Sequence, residues 1–223
     1  MKSLLLMIAV LAIAVSPSIA QDDDDTDVQF WNETQVVVPF GKKREWSAAF
    51  SNFGRFGDNM SRANDVRVGF TLTRKMNKYL SLGGAYIYRY TSPAAGVDRY
   101  ETRYLGIASV NLPLNEKWTF VNRNMFQYEN RHSRSDRRTI RSRVGLEREV
   151  TFAKRKFEPF GTIEFTLDAN AREVTRIRSQ LGVSHKFNKT VSASVFYLRQ
   201  DELRGRSPQA INALGTSLRF TVR

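Results

Sequence analysis

The sequence contains no cysteine and only two histidines, His132 and His185. The absence of cysteine excludes disulfides, thiolate catalysis and cysteine-ligated metal centres. Beyond residue 20, no apolar run approaches the roughly 20 residues that a membrane-spanning helix needs. There is no glycine-rich nucleotide-binding loop and no cluster of metal-ligating residues, so we expect neither a cofactor nor a metal.

Residues 1–20 have the pattern of a secretory signal peptide. Lys2 precedes an apolar stretch over 4–15, and small residues end the pattern at Ala20. Signal peptidase reads such small residues. Because the stretch is too short for a transmembrane anchor, we predict export, with cleavage after Ala20 and an acidic tail over 21–27.

The charge of the chain is strongly positive, with 35 lysines and arginines against 22 aspartates and glutamates. In a cytosolic protein this balance would suggest nucleic acid. An exported protein meets other anions, so we expect no nucleic acid and consider lipopolysaccharide, acidic sugars and small phosphorylated solutes instead. The mean hydropathy of −0.43 does not exclude a membrane location, because alternating strands give a weak hydropathy signal.

From residue 28 onward the sequence alternates apolar and polar residues. Val66, Val68, Phe70 and Leu72 share one strand face, and Arg67 lies on the other. Such segments lie near 28–38, 44–54, 63–74, 79–90, 100–112, 118–129, 138–150, 157–167, 174–186, 190–200 and 211–222. They match the roughly 9–11 residues of a tilted outer-membrane strand better than the roughly 5–6 of a soluble sandwich. We therefore predict an all-β fold, an antiparallel up-and-down transmembrane β-barrel of ten to twelve strands over 28–223.

The connections between these segments alternate in length. Short ones are predicted near 75–78, 113–116, 153–156 and 187–189, and longer polar ones near 91–99, 130–137, 168–173 and 201–210. Bacterial barrels have short periplasmic turns, longer outer loops and an even number of strands. The count of eleven therefore means either that one strand is missing or that the first segment, where Val36, Val37 and Val38 interrupt the alternation, lies outside the wall.

The polar face of each strand is expected to line the lumen. A charge on the lipid side costs about 2–4 kcal/mol near the midplane, so charged residues should point inward. The predicted lumen residues are Arg67, Glu101, Arg103, Arg123, Arg141, Arg143, Glu147, Glu164 and Arg178. Two alternatives stay open: the arginines draw anions through a narrow pore, or arginine and glutamate pair and fill a closed barrel.

The polar segment 130–138 is rich in arginine, with Arg131, Arg134, Arg137 and Arg138. On the outer side of an outer membrane these side chains would meet lipopolysaccharide phosphates, which arginine binds bidentately. A solvated loop is the alternative.

A hydrolytic site has one candidate, His132 with Ser133 and nearby Asp136. Neighbours in a loop rarely reach catalytic geometry, so we assign no catalytic residue and regard an enzyme as the less favoured class. A surface enzyme or adhesin on the same barrel, and a soluble periplasmic β-sandwich that binds an anionic ligand, remain alternatives to a structural protein or narrow anion channel.

Three short motifs suggest a family. Gly83–Tyr88 (GGAYIY), Arg141–Glu147 (RSRVGLE) and Arg178–Val183 (RSQLGV), with Trp31 and Tyr197, resemble the bacterial exported β-barrel family catalogued as domain of unknown function 2490. The likeness covers almost all of the chain after the predicted signal peptide. It implies a porin-like outer-membrane barrel of Gram-negative bacteria without an assigned activity, and it supplies no functional residues.

An outer-membrane location would also imply outer-membrane lipid and the barrel-assembly machinery as partners. Many outer-membrane proteins end in an aromatic residue that this machinery recognises. The present chain resembles them in Phe220 but departs from them at its last residue, Arg223.

Overall fold

The computed structural model describes residues 26–94, 96–204 and 209–222, which form one closed β-barrel. The strands are β1 (Thr26–Phe40), β2 (Trp46–Gly57), β3 (Arg62–Lys75), β4 (Leu80–Ala94), β5 (Val97–Pro113), β6 (Trp118–Arg131), β7 (Arg137–Arg148), β8 (Val150–Phe152), β9 (Arg155–Asp168), β10 (Glu173–Lys186), β11 (Val191–Glu202) and β12 (Ala210–Thr221). Both β7 and the short β8 pair with β9, so the wall has eleven strands. The predicted signal peptide and residues 21–25 of the predicted tail lie outside the described residues.

The alternation in the sequence places apolar side chains outside and polar ones inside. On β3, Phe70 and Leu72 are exposed on the exterior, whereas Asp65 and Arg67 point inward. Successive strand residues face opposite sides, so a period of two produces one apolar and one polar wall. Within the described residues, no helix is long and apolar enough to cross a membrane.

The barrel closes through a parallel pair. Ten strand pairs around the wall are antiparallel, but β1 and β12 pair in parallel from Thr26 with Ala210 to Val37 with Thr221. An up-and-down sheet reverses direction at each step, so eleven strands must bring the first and last together in the same direction. The prediction of an all-β barrel is confirmed, and the purely antiparallel arrangement is corrected at this one seam.

The first segment lies in the wall and pairs on both sides, contrary to the doubt that its three valines raised. Val37 points into the barrel and is only 4% exposed, beside Ala49 and Thr221. Val36 and Val38 point outward and are exposed. The alternation is therefore intact, and one inward position is filled by an apolar side chain.

The strands extend further than the sequence pattern predicted, which shortens the loops. The predicted loop 91–99 is mostly strand, because β4 continues to Ala94 and β5 begins at Val97. The turn end of the barrel carries the β1–β2, β3–β4, β5–β6, β7–β8, β8–β9 and β10–β11 connections, and the loop end carries the β2–β3, β4–β5, β6–β7, β9–β10 and β11–β12 connections. The predicted difference in connection length between the two ends is consequently small.

Aromatic side chains mark both ends of the exterior. Near the loop end, Tyr90 and Tyr100 have ring centroids 5.3 Å apart, and Tyr104 and Tyr128 follow at 6.4 Å. Near the turn end, Phe40 stacks on the Trp46 ring at 6.3 Å. The exterior between these two aromatic zones is thus mostly apolar, interrupted by polar pairs such as Asn32 with Thr216 and Asn122 with Asn124.

Candidate functional site

The loop half of the barrel encloses a cavity of about 920 Å³. Its lining includes twelve cationic side chains, all of them arginine, and six carboxylates, an excess of six positive charges. The arginines are Arg55, Arg62, Arg67, Arg89, Arg99, Arg103, Arg131, Arg134, Arg137, Arg141, Arg176 and Arg178. Three buried carboxylates of the lumen organise most of these arginines.

Asp65 on β3 is the first of these carboxylates. Its Oδ2 lies 2.5 Å from Arg67 Nη2, 2.8 Å from Arg89 Nη2 and 3.6 Å from Arg55 Nη1. These residues lie on neighbouring strands, with Arg55 directly opposite Asp65 and Arg89 directly opposite Arg67. The strand register therefore surrounds one carboxylate with three guanidinium groups.

Glu101 on β5 is the second carboxylate. Its Oε1 accepts hydrogen bonds from Arg89 Nη1 at 2.8 Å and from Arg103 Nε at 2.7 Å. Arg134, from the connection after β6, reaches Oε2 at 3.6 Å. Because Arg89 also binds Asp65, the two clusters form one continuous network.

Glu164 on β9 is the third carboxylate, and its side chain is only 1% exposed. Its oxygens lie 2.6 Å from Arg141 Nη2, 2.9 Å from Arg143 Nη2 and 3.3 Å from Arg178 Nη1. Arg178 also donates to Gln200 Oε1. Glu164 is therefore surrounded by three arginines, as Asp65 and Glu101 each are.

Trp31 on β1 joins the two networks. The guanidinium carbon of Arg55 lies 3.6 Å from the centroid of the Trp31 ring, and that of Arg178 lies 5.1 Å away. The indole Nε1 donates to Gln29 at 2.7 Å. Trp31 also packs against Leu198, which places a buried apolar contact beside the arginines.

The balance of charge in these networks favours an anion. Arg103 also pairs with the buried Glu129 at 4.0 Å, so eight arginines surround four carboxylates, which leaves four positive charges in excess. A buried charge without a counter-charge is costly, and clustered arginines attract carboxylates and phosphates. Arg55 Nε, Thr139 Oγ1 and Thr166 Oγ1 are buried in cavity-lining residues and have no hydrogen-bond partner among the residues that the structure describes. They offer donors to a bound anion.

The structure brings most of the predicted lumen residues together. Arg67, Glu101, Arg103, Arg141 and Arg178 line the cavity. Arg143 and Glu164 join them through the ion pairs at Glu164.

Two of the predicted lumen residues lie elsewhere. Arg123 and Glu147 point into the barrel nearer the turn end, outside the cavity lining. Neither makes a salt bridge within the described part of the chain.

Sequence reasoning missed three central residues. Arg55 lies one position past the predicted end of its strand, and Trp31 lies in the segment whose place in the wall was in doubt. Arg89 alternates with the outward Tyr88 and Tyr90, so the same period-two rule assigns it to the lumen. The signal for Arg89 was present in the sequence.

The arginine-rich segment 130–138 mostly turns towards the cavity. Arg131, Arg134 and Arg137 line it, and Arg137 Nε lies 2.8 Å from Asp168. Arg138 is exposed on the strand face opposite to Arg137. Three of the four side chains nominated for lipopolysaccharide therefore belong to the mouth of the lumen.

Asp136 does not orient His132. The Asp136 carboxylate accepts hydrogen bonds from the Tyr128 hydroxyl and the Arg131 backbone amide, and these bonds lower its pKa. The described residues thus show no catalytic histidine–carboxylate pair at this loop.

Comparison with known proteins identifies a family and shows a likeness to solved structures. The model of the family described as "Protein of unknown function (DUF2490)" matches residues 28–209. Among solved structures, the chain is similar to the NanC porin in a rhombohedral crystal form, with 12% identity and a TM-score of 0.49 over 83% of this chain and 93% of that one. None of the curated proteins matches the chain in sequence.

Proposed function

We propose that this chain, which belongs to the DUF2490 family, is an outer-membrane β-barrel whose arginine-lined lumen binds small anions and passes them through a narrow pathway. One observation carries this proposal: three buried carboxylates are each held by three arginines, and four positive charges remain in excess after Glu129 is counted. A lumen filled only for support would be expected to balance its charges.

The outer-membrane location is supported by the exterior. Large apolar side chains are about half exposed on many strands, for example Phe50, Phe126, Val195 and Leu214. A soluble monomer rarely exposes more than a few hundred Å² of contiguous apolar surface. The wall strands are apolar outside and polar inside, and each exceeds the roughly 9–11 residues needed to cross an outer membrane.

Anion preference follows from the field inside the cavity. Clustered charges of one sign within low-dielectric walls attract and concentrate counter-ions. Arginine retains its charge at any physiological pH and binds oxyanions through a planar fork of donors. The cavity is therefore expected to favour carboxylates, phosphates and sulfates over cations of similar size.

Planar-bilayer recording with a salt gradient tests the proposal. We expect small single-channel currents and a reversal potential that indicates anion selectivity. The double variant R62Q/R99Q removes two positive charges from the cavity lining and should reduce that selectivity. The matched variant K78Q/K117Q removes two charges from the turn end, outside the cavity, and should change it less.

Two outcomes would overturn the channel. The first is a cation preference of the unmodified protein. The second is an absence of current after insertion has been verified by protease protection, which would leave a filled, structural barrel.

A further inference from the structure

The exterior of β2–β4 carries an apolar groove of about 540 Å³. Phe70, Leu72, Leu82 and Tyr86 contribute exposed side chains to it. Gly84 lies between Leu82 and Tyr86 on the same face and has no side chain to fill the space. The groove therefore exists because a glycine interrupts an otherwise bulky outer surface.

One end of the groove is cationic. Arg74 and Trp46 both line it, and the guanidinium carbon of Arg74 lies 5.2 Å from the centroid of the Trp46 ring. Arg74 is exposed and makes no salt bridge within the described part of the chain. Lys75 and Lys78 follow at the same turn.

The carboxylate that faces Arg74 is already engaged. Glu45 accepts a hydrogen bond from the Lys43 amide at 2.9 Å, and backbone hydrogen bonds at Glu45 and Lys43 lower its pKa. Its negative charge offsets part of the field of Arg74. Arg74, Lys75 and Lys78 together still leave a net positive charge at this end of the groove.

The dimensions of the groove fit one leaflet of a bilayer. The four residue steps from Phe70 to Arg74 span about 13 Å along the strand. Half of a hydrocarbon core about 30 Å thick is about 15 Å. A chain that lies in the groove would therefore place its head group near Arg74 and Trp46, and tryptophan favours that interfacial level.

The distribution of lysine agrees with this orientation. Every lysine of the described residues lies in or beside a connection of the turn end: Lys42, Lys43, Lys75, Lys78, Lys117, Lys154, Lys156, Lys186 and Lys189. By contrast, every cationic side chain among the described residues that line the cavity is an arginine. The turn end is thus suited to an anionic lipid surface.

We propose that this groove is a binding site for one anionic glycerophospholipid, with an acyl chain along Gly84 and the phosphate at Arg74. The site rests on the membrane location in the proposed function but is independent of the lumen. Two features carry it together: an apolar groove of leaflet length and a cation at its head-group end that makes no salt bridge. An apolar groove alone would fit any hydrophobic partner.

Native mass spectrometry of the full chain, released from detergent micelles containing added lipid, tests the site. We expect one phosphatidylglycerol to be retained in preference to phosphatidylcholine. The variant G84L should abolish this retention, because the new side chain fills the groove. A Cβ at Gly84 would have the Leu105 carbonyl oxygen at 3.6 Å as its nearest contact, so the wall accepts it.

Two matched controls separate binding from misfolding. G54L adds the same side chain on β2, where a Cβ has nothing within 4 Å, outside the groove lining. R148Q disrupts a second arginine–tryptophan pair at the turn end, with Arg148 at the same 5.2 Å from Trp118. Both should retain the lipid, whereas R74Q should lower phosphatidylglycerol affinity about fivefold.

Several results would overturn the site. The first is that G84L retains as much lipid as G54L. The second is that the unmodified protein retains phosphatidylglycerol and phosphatidylcholine equally. The third is that the unmodified protein retains no lipid, either as a monomer or as a dimer. Because R74Q and G84L lie outside the cavity, their bilayer currents should match those of the unmodified protein. Failure of the lipid site and failure of the channel therefore give different results.

Discussion

Neutralising Glu164 should destabilise the barrel strongly. The side chain is 1% exposed and holds Arg141, Arg143 and Arg178. The substitution E164Q keeps the shape but leaves three clustered guanidinium groups without their carboxylate. Breaking a buried ion pair by removing one partner costs about 3–5 kcal/mol, and we expect a loss in that range.

A matched substitution on the same strand tests whether burial of the ion pair causes the loss of stability in E164Q. Glu158 lies 3.0 Å from Lys186, but the two side chains are 35% and 70% exposed. Exposed pairs contribute about 0–1 kcal/mol, so E158Q should change the free energy of unfolding by less than about 1 kcal/mol. Urea unfolding in lipid vesicles, followed by tryptophan fluorescence and far-ultraviolet circular dichroism, measures both variants.

The E164Q variant also tests whether the lumen accepts anions. In E164Q, an added oxyanion such as sulfate can take the place of the lost carboxylate. A ligand at ten times its Kd stabilises the folded state by about 1.4 kcal/mol, so sulfate should raise the stability of E164Q more than that of the unmodified protein. Equal losses for E164Q and E158Q, together with no extra effect of sulfate, would refute this reasoning.

Three further predictions follow from the fold. Replacing Trp31 by alanine removes a buried ring and should lower the free energy of unfolding in urea by about 3–5 kcal/mol. The same change should raise the single-channel conductance. An unchanged current would show that Trp31 does not narrow the lumen. Replacing Phe70 by arginine should cost about 2–4 kcal/mol in lipid vesicles, and the same change at its inward neighbour Thr71 should cost less; equal costs would argue against an outer apolar wall. Because the pKa of Asp136 is lowered, its hydrogen bond from Tyr128 should persist at neutral pH and be lost only as the pH falls below about 4. The NMR signal of the Arg131 amide reports this loss. A loss near neutral pH would contradict the assignment.

The strand positions could be predicted because one physical rule governs them. Every residue that faces lipid or lumen obeys the period of two, so all eleven predicted segments correspond to wall strands. The ends of the strands were harder to predict, since polar residues such as Asp98 and Arg99 suit a loop and a strand rim equally well. Tyr90 donates a hydrogen bond to Asp98 across the β4–β5 hairpin, a tertiary contact that no local pattern reveals.

The ion-pair networks could be predicted only in part. Alternation placed Arg67, Glu101 and Glu164 on the lumen face, but it carries no information about register. The choice of partners depends on which residues oppose each other across strands, and Arg89 reaches both Asp65 and Glu101 only because β4 lies between β3 and β5 in this register. The parallel pairing of β1 with β12 could not be predicted either. It depends on whether the number of wall strands is odd or even, and the sequence pattern left that number open.

The filled barrel and the anion channel need not be opposed descriptions of this lumen. Ion pairs on Asp65, Glu101 and Glu164 fix the arginines in place, which is the role of structural filling. A barrel selected for stability alone would gain from replacing the surplus arginines with neutral residues, because each excess buried charge carries a desolvation cost. Retaining four surplus positive charges costs stability, and such costs are typical of functional sites. In the proposed function, the carboxylates are therefore the scaffold of the anion site, which holds the arginines in position without neutralising them.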